Sequence, residues 1–248
     1  MLNWMLWLRL ICLAAVGVIL APPEAEPPAS KPAAAPAADA KWYEAEIRAF
    51  EAADRASPPA PGQVLFIGSS SIRMWTTLKA DMEPVPVLNR GFGGSRTADV
   101  LEVFDRIVLP YKPSAIVYYC GDNDLGNDNH DSRAVTNGFI AFEKKARAAF
   151  PRVQVFYIAI KPSIARWSNW PAMEETNRLV REYCEKTASA KYLDVATPML
   201  APDGKLDPAM FKGDGLHMTE KGYKIWTEVV RPAAREAWAA GQHAAEKK

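Results

Sequence analysis

Short apolar runs alternate with longer amphipathic stretches along the chain from residue 41 onward. The apolar runs cover residues 64–67, 85–88, 115–119, 153–160 and 192–195. Nearly continuous apolar strands that are separated by helices are typical of a parallel sheet covered on both faces. The pattern therefore predicts an α/β fold, a three-layer α/β/α sandwich of about five parallel strands.

The amphipathic stretches predict helices over residues 41–54, 98–108, 131–150, 172–187 and 219–238. Pro171 suits the first turn of the fourth of these helices. Pro232 lies inside the last one, where its missing N–H predicts a kink or a restart. In open parallel sheets, ligands bind beyond the carboxyl ends of the strands. The candidate functional residues are therefore those that follow each strand.

The N-terminal region differs in kind from the rest of the chain. Residues 10–21 read LICLAAVGVILA and follow Arg9, which is the plan of a signal-peptide core. Residues 4–21 are nearly long enough to cross a bilayer, so an uncleaved membrane anchor is the alternative for residues 1–21. Residues 22–40 are rich in Pro and Ala and predict a semi-extended linker. We expect an exported protein, periplasmic or extracellular, with its folded domain over residues 41–248.

Composition narrows the class of protein and its partners. The 248 residues are 49% hydrophobic and 24% charged, which suits one globular α/β domain with a tail. The formal net charge of +1 gives no basic field for a nucleic-acid partner. One of the 3 cysteines lies within residues 1–21, and the other two, Cys120 and Cys184, lie in the predicted folded domain. A disulfide between them is one prediction for an oxidising compartment, and a pair of small buried thiols is the favoured one.

The turn after the first predicted strand reads Gly68-Ser69-Ser70-Ser71. A serine in a strand-to-helix turn exposes its hydroxyl, and its backbone N–H at the helix N-terminus can face an oxyanion. Serine is also a preferred N-cap, and for this turn taken alone capping is the simpler interpretation.

The turns after the second and third strands add further amide donors. Gly94 ends the run from Asn89 and offers a backbone N–H, and Asn123 offers a side-chain N–H. The third turn also contains several aspartates, but their spacing does not fit the EF-hand calcium loop. We therefore predict no metal there.

Asp214-Gly215-Leu216-His217 precedes the last predicted helix. Among the 3 histidines, His217 is the best placed to act as a general base. A carboxylate that lies before it across a glycine can fold back onto the imidazole Nδ1 and fix the tautomer. An aspartate and a histidine at this spacing, taken alone, are more often a helix cap with a surface histidine. The catalytic interpretation depends on their occurring together with the serine, glycine and asparagine turns.

With these motifs in this order along the chain, the sequence resembles the SGNH hydrolases, also called GDSL esterases and lipases, over residues 63–226. The family blocks G-D-S, N-x-G-x-x-G, G-x-N-D and D-x-x-H match residues 68–70, 89–94, 121–124 and 214–217. The resemblance implies a flavodoxin-like sandwich and hydrolysis of esters without a metal or other cofactor. It also implies a triad of Ser70, His217 and Asp214, with an oxyanion hole formed by Ser70, Gly94 and Asn123.

The first block departs from the family pattern, because Ser69 stands where G-D-S has aspartate and Ser71 follows where the family prefers an aliphatic residue. The block can slip by one residue, which makes Ser69 and Ser71 rival nucleophiles. Ser70 is favoured because Gly68 fixes the register and Ile72 begins the apolar face of the following helix.

The substrate is less sharply indicated than the chemistry. Arg166, Trp167 and Trp170 follow the fourth strand and are candidates for binding a sugar or an acyl group, with burial of both rings against the last helix as the alternative. The chain carries no long apolar insertion of the kind that forms a lid, which favours a short acyl group such as acetyl and a small-molecule or glycan ester. A thioesterase or lysophospholipase on the same fold is the nearest alternative, and a non-catalytic glycan-binding protein is a more distant one.

Overall fold

The computed structural model describes residues 41–126 and 131–246 of the chain. The signal peptide or anchor predicted over residues 1–21 and the linker predicted over residues 22–40 lie outside the described residues. Within the part that is described, no helix is both long and apolar enough to cross a membrane.

One sheet of parallel strands organises the domain. Its strands are β1 (Val64–Gly68), β2 (Val87–Gly91), β3 (Ala115–Tyr119), β4 (Gln154–Ile158) and β5 (Ala190–Leu193). Their order across the sheet is β2-β1-β3-β4-β5, and every neighbouring pair is parallel. The predicted α/β fold with five parallel strands is confirmed. The second and fifth strands are displaced from their predicted bounds: β2 begins two residues later and ends three residues later, and β5 lies two residues earlier in the chain.

Helices cover both faces of the sheet. They are α1 (Glu44–Ala56), α2 (Ser70–Arg73), α3 (Leu78–Asp81), α4 (Thr97–Glu102), α5 (Phe104–Ile107), α6 (Ser132–Ala149), α7 (Trp170–Glu185) and α8 (Glu220–Glu246). The single helix predicted over residues 98–108 is divided at Val103 into α4 and α5.

The last helix differs from its prediction at Pro232. It continues through this proline to Glu246, so the predicted restart is wrong. One lost hydrogen bond does not end α8 because Trp226, Val230 and Ala234 on both sides of the proline are fully buried against the sheet. Tertiary packing of an apolar face outweighs the local cost of the proline.

Strand residues alternate between two hydrophobic cores. Leu65, Ile67 and Tyr118 point toward α1 and α4–α7, where Phe139 and Phe142 of α6 are fully buried. Their neighbours along the same strands belong to the opposite core, against α2, α3 and α8. Because the central strands β1 and β3 are buried on both faces, their sequences are apolar at successive positions rather than at every second one.

The two cysteines of the domain are free thiols, both buried in the core on the α6 side of the sheet. Cys120 donates to the Ser95 carbonyl at 3.2 Å. Burial raises the pKa of Cys184 to about 12. The favoured prediction of two small buried thiols is confirmed.

The position of β1 creates the place for a site. Its two neighbours in the sheet are β2 and β3, so the chain leaves β1 toward one side and later returns on the other. Such a switch in strand order opens a crevice at the carboxyl ends of the strands. Gly68 ends β1 there with a φ of +135°.

We predict that Gly68→Ala prevents stable folding or lowers the free energy of unfolding by more than about 4 kcal/mol. A Cβ at this position would lie 1.8 Å from the Tyr119 carbonyl oxygen, and the backbone cannot relax without breaking the β1–β3 pairing. Urea denaturation followed by circular dichroism measures the change. Gly204→Ala is the matched control because Gly204 also has a positive φ, +76°, but open space around it. That substitution should cost about 1–2 kcal/mol. A Gly68→Ala protein as stable as the control would contradict the prediction.

Candidate active site

Ser70 is the first residue of α2, directly beyond the end of β1. The turn through Gly68 places it at the crevice, where the residue is largely buried, with 8% of its surface exposed. As the first helical residue it has no intrahelical acceptor for its N–H. No described residue accepts from that N–H.

His217 lies against Ser70. The distance from His217 Nε2 to Ser70 Oγ is 2.9 Å, and the distance from His217 Nδ1 to Asp214 Oδ2 is 2.6 Å. A carboxylate only accepts hydrogen bonds, so Nδ1 carries a hydrogen, and in that tautomer Nε2 is the acceptor for the Ser70 hydroxyl. The hydrogen bond from His217 holds the pKa of Asp214 well below its usual range. The arrangement is a hydroxyl, an imidazole and a carboxylate in one hydrogen-bonded line.

The short loop between Asp214 and His217 is fixed by its own backbone. Asp214 Oδ1 accepts from the N–H groups of Leu216 and His217, both at 2.9 Å. An antiparallel bridge between Phe211 and Met218 closes the loop at its base. These backbone contacts orient the Asp214 carboxylate toward the His217 imidazole, as the sequence prediction for this pair requires.

The neighbouring serines do not share the position of Ser70. Ser69 is fully buried and donates to Asp122 Oδ1 at 3.3 Å. Ser71 is also buried, and its carbonyl accepts from the Tyr223 hydroxyl of α8 at 2.9 Å. Of the three serines, only Ser70 forms a hydrogen bond with His217. The geometry favours the register with Ser70 at the reactive position.

The turn after β2 is tied to β1 and α2. Asn89 donates to the Ile72 carbonyl at 2.7 Å and accepts from the Gly91 N–H at 2.9 Å. Phe92 then donates to the Gly68 carbonyl at 2.9 Å. Gly94 follows with a φ of +67°, and no described residue accepts from its N–H. A backbone donor without a partner thus stands beside the α2 turn.

Asn123 is held at both ends of its amide. Its Nδ2 donates to the Ser95 carbonyl at 3.0 Å, and its Oδ1 accepts from Arg166 Nη2 at 2.9 Å. Because Arg is a donor only, it fixes which end of the amide is oxygen. One of the two Nδ2 hydrogens is used by Ser95, and the other is free to meet a ligand. The structure thus brings the turns after β2 and β3 together.

Arg166 has a different environment from the one that a sugar-stacking residue would need. It donates to the Asp122 carbonyl at 2.7 Å and to Asn123, and its guanidinium lies 3.4 Å from the Asp122 carboxylate. Its polar groups are therefore engaged with the turn after β3. Trp167 stacks on Trp170 with ring centroids 6.4 Å apart and an angle of 8° between the planes. Trp167 is 45% exposed, whereas Trp170 packs against the core.

Several residues of this region were not among the site residues predicted from the sequence. Asp122 is buried next to Ser69, Tyr119 and Arg166. Lys161 is almost fully buried, its Nζ has no acceptor among the described residues, and burial lowers its pKa to about 8. Position after a strand was the available signal for Asp122 and Lys161. Glu46 and Trp42, which approach the turn after β2 from the start of α1, had none.

Neither a large cavity nor a cluster of metal-ligating side chains within the described residues points to a different location for the active site. A groove of about 510 Å³ lies between α7 and the end of β5 and includes Trp170, Arg181 and Asp194, but not Ser70 or His217. No group of three or more histidine, cysteine, aspartate or glutamate side chains converges on one point within residues 41–126 and 131–246. The chemistry available at the crevice is that of the serine, the imidazole and the unpaired amide donors.

The chain is similar to known esterases and lipases in sequence or in fold. A GDSL esterase/lipase of Oryza sativa subsp. japonica, WDL1, is 28% identical and aligns with 72% of this chain and 80% of its own length. A GDSL-like lipase from Bacteroides thetaiotaomicron has a similar structure, with a TM-score of 0.65, 20% identity, and coverage of 77% of this chain and 98% of the other. Axe2, an acetylxylan esterase from Geobacillus stearothermophilus, has a TM-score of 0.58, 13% identity, and coverage of 71% and 95%.

The chain also matches the model of a whole family. The sequence model of the GDSL-like Lipase/Acylhydrolase family matches residues 68–225, more than half of the chain. This span begins at the glycine that ends β1 and includes Ser70, Asn123 and His217. The chain therefore belongs to the GDSL-like lipase/acylhydrolase family of carboxylic ester hydrolases.

Proposed function

We propose that the protein hydrolyses short-chain O-acyl esters, acetyl-like in size, with Ser70 as nucleophile, His217 as general base and Asp214 as its orienting carboxylate. The observation that carries the proposal is the line of contacts from Ser70 Oγ to His217 Nε2 at 2.9 Å and from Nδ1 to Asp214 at 2.6 Å. With the hydrogen on Nδ1, the imidazole Nε2 is the acceptor for the Ser70 proton that acyl transfer requires.

In the proposed reaction, His217 Nε2 takes the proton of Ser70 as its Oγ attacks the ester carbonyl carbon. The carbonyl oxygen becomes an oxyanion that accepts from the N–H groups of Ser70 and Gly94 and from Asn123 Nδ2. His217 then gives its proton to the leaving alcohol as the carbon–oxygen bond breaks. Water then attacks the carbonyl carbon of the acyl-serine while His217 takes its proton. His217 gives that proton to Ser70 Oγ as the bond between Oγ and the acyl carbon breaks, which releases the acid and restores Ser70. No metal or cofactor takes part in this proposal.

The openness of the site supports a small acyl group. The Asp214 side chain is 48% exposed and that of His217 is 22% exposed, so the reacting groups lie close to the surface. A long acyl chain gains binding energy from an apolar slot that removes its methylenes from water. The 510 Å³ groove, which Trp170 lines, does not reach Ser70. An acetyl group needs no such slot.

A saccharide is our proposal for the alcohol part of the substrate. Trp167 presents an exposed indole on the loop that also carries Arg166, whose guanidinium binds Asn123. Trp170 supports that indole from behind by parallel stacking. A flat aromatic surface with polar groups around it suits the apolar face of a sugar ring. Axe2, which has the same fold, is described as an acetylxylan esterase.

We predict that the full chain hydrolyses p-nitrophenyl acetate faster than the octanoate, and that Ser70→Ala abolishes both activities. Ser71→Ala is the matched control, since Ser71 lies in the same helix but contacts α8 through its carbonyl. It should retain most of the activity. Turnover that survives in Ser70→Ala would contradict the proposed nucleophile, and a preference for octanoate would contradict the short acyl group.

Asn123→Ala should lower kcat on p-nitrophenyl acetate by about 10²–10³-fold, because one donor to the oxyanion is lost. Steady-state kinetics measure the change, with thermal unfolding to show that the variant is folded. Asn169→Ala is the control, since Asn169 lies on the surface and its side chain bonds only to Ser168 among the described residues. Near-normal turnover in Asn123→Ala would remove this residue from the mechanism.

Trp167→Ala should lower kcat/KM on an acetylated xylo-oligosaccharide by about tenfold and leave p-nitrophenyl acetate turnover within about twofold, because only the saccharide reaches the indole. Leu109→Ala removes an exposed apolar side chain elsewhere on the surface and serves as the control. An equal loss on both substrates would show that Trp167 supports the fold of the loop rather than binding the sugar.

A further inference from the structure

Glu46 of α1 reaches the turn after β2 although it lies outside the span that matches the family. Its two carboxylate oxygens accept from the Gly93 N–H at 3.1 and 3.3 Å. The same carboxylate lies 3.4 Å from Nη1 of Arg73. One side chain of α1 thus contacts two segments that follow different strands of the sheet.

These two segments carry the two backbone donors of the proposed oxyanion hole. Arg73 ends α2, the four-residue helix that Ser70 begins. Gly93 directly precedes Gly94, and a Cβ on Gly93 would lie 2.9 Å from the Arg73 guanidinium carbon. The guanidinium is therefore packed against the turn while its charge is directed at Glu46. Glu46 joins the helix that holds one donor to the turn that holds the other.

We propose that Glu46 is a positioning residue that fixes the Gly93–Gly94 turn so that the Gly94 N–H faces the oxyanion, an inference that rests on the proposed function. Consecutive glycines have wide freedom in φ and ψ, so their peptide groups do not hold one orientation by themselves. A carboxylate that binds the Gly93 N–H removes that freedom from the preceding peptide and leaves the Gly94 N–H as the unpaired donor of the turn.

The charge of Glu46 has a cost that Arg73 offsets. A carboxylate near a developing oxyanion raises the energy of the transition state by repulsion. The Arg73 guanidinium lies between 2.9 and 3.1 Å from the place of a Gly93 Cβ and pairs with Glu46, so the local charge is close to neutral. In a Glu46→Gln variant, the neutral side-chain amide keeps an oxygen acceptor for the Gly93 N–H and avoids the repulsion.

The attachment of α1 to the domain does not depend on Glu46. Tyr43 and Ile47 of this segment are fully buried in the core. Glu44 and Glu51 both bind Arg106 of α5, at 2.8 and 2.7 Å. Removal of the Glu46 carboxylate therefore leaves the helix in place. Glu51 is a matched control, because its side chain is 31% exposed against 32% for Glu46 and it also pairs with one arginine.

The experiment compares Glu46→Ala, Glu46→Gln and Glu51→Ala in the full chain, with p-nitrophenyl acetate as substrate. We expect kcat of Glu46→Ala to fall by about 10–100-fold with KM within about twofold, since the donor is displaced rather than deleted. Glu46→Gln should recover most of kcat because its amide oxygen still accepts from Gly93. Glu51→Ala should lower Tm about as much as Glu46→Ala and leave kcat unchanged.

Two kinetic results would overturn the proposal. One is an unchanged kcat in Glu46→Ala, and the other is a loss of kcat in Glu46→Ala that Glu51→Ala reproduces. Failure of the proposed function is a separate outcome, seen as a wild-type protein without esterase activity. In that case amide hydrogen exchange still tests the positioning. The Gly93 N–H should exchange faster in Glu46→Ala than in the wild type, and equal exchange would overturn the positioning role by itself.

Discussion

The site depends on backbone hydrogen bonds that continue the sheet pairing beyond the ends of its strands. Ser69 donates to the Tyr119 carbonyl at 3.0 Å, and Phe92 donates to the Gly68 carbonyl at 2.9 Å. These bonds hold the turn after β1 between the turns after β2 and β3. They require Gly68, because a side chain there would collide with the Tyr119 carbonyl. The relative positions of the turns after β1, β2 and β3 follow from these bonds.

The carboxylates around this frame have different tasks because their surroundings differ. Asp214 is half-exposed and binds the imidazole of His217, which suits a group that must stay ionised. Asp124 is largely buried and accepts from the N–H and hydroxyl of Thr97 at the start of α4, so it anchors the turn after β3. Burial raises the pKa of Asp124 despite these hydrogen bonds.

Asp122 gives a physical account of the departure from the family pattern at Ser69. Where G-D-S has aspartate, this chain has Ser69, whose hydroxyl donates to the buried carboxylate of Asp122. Arg166 pairs with that carboxylate and also binds Asn123, so the same charge helps to orient an amide of the site. The turn after β1 therefore has a carboxylate beside it, contributed by the turn after β3.

The parts that the sequence predicted are those that depend on local pattern. The five strands follow from apolar runs, and the position of Ser70 follows from a glycine turn at the end of one of them. Asp214 and His217 are also neighbours in sequence, so their contact needs only a short loop. Contacts between distant residues were not predictable in this way. Arg166 and Asn123 are 43 residues apart, and Glu46 and Gly93 are 47 residues apart, and no periodicity links either pair.

The contacts of α1 also bear on where the functional unit of this chain begins. Trp42 packs edge-on against Tyr43 and lies against Phe92, and its indole ring is the nearest group to a side chain placed at Gly94. Phe92 and Gly94 belong to the turn that holds the proposed backbone donor, and Glu46 binds the same turn. The family span starts only at residue 68. A fragment cut to that span keeps Ser70, His217 and Asp214 but loses the aromatic and carboxylate contacts that order the turn beside them. These contacts therefore support the prediction that the folded domain begins at residue 41, after the region for which the sequence predicts a linker.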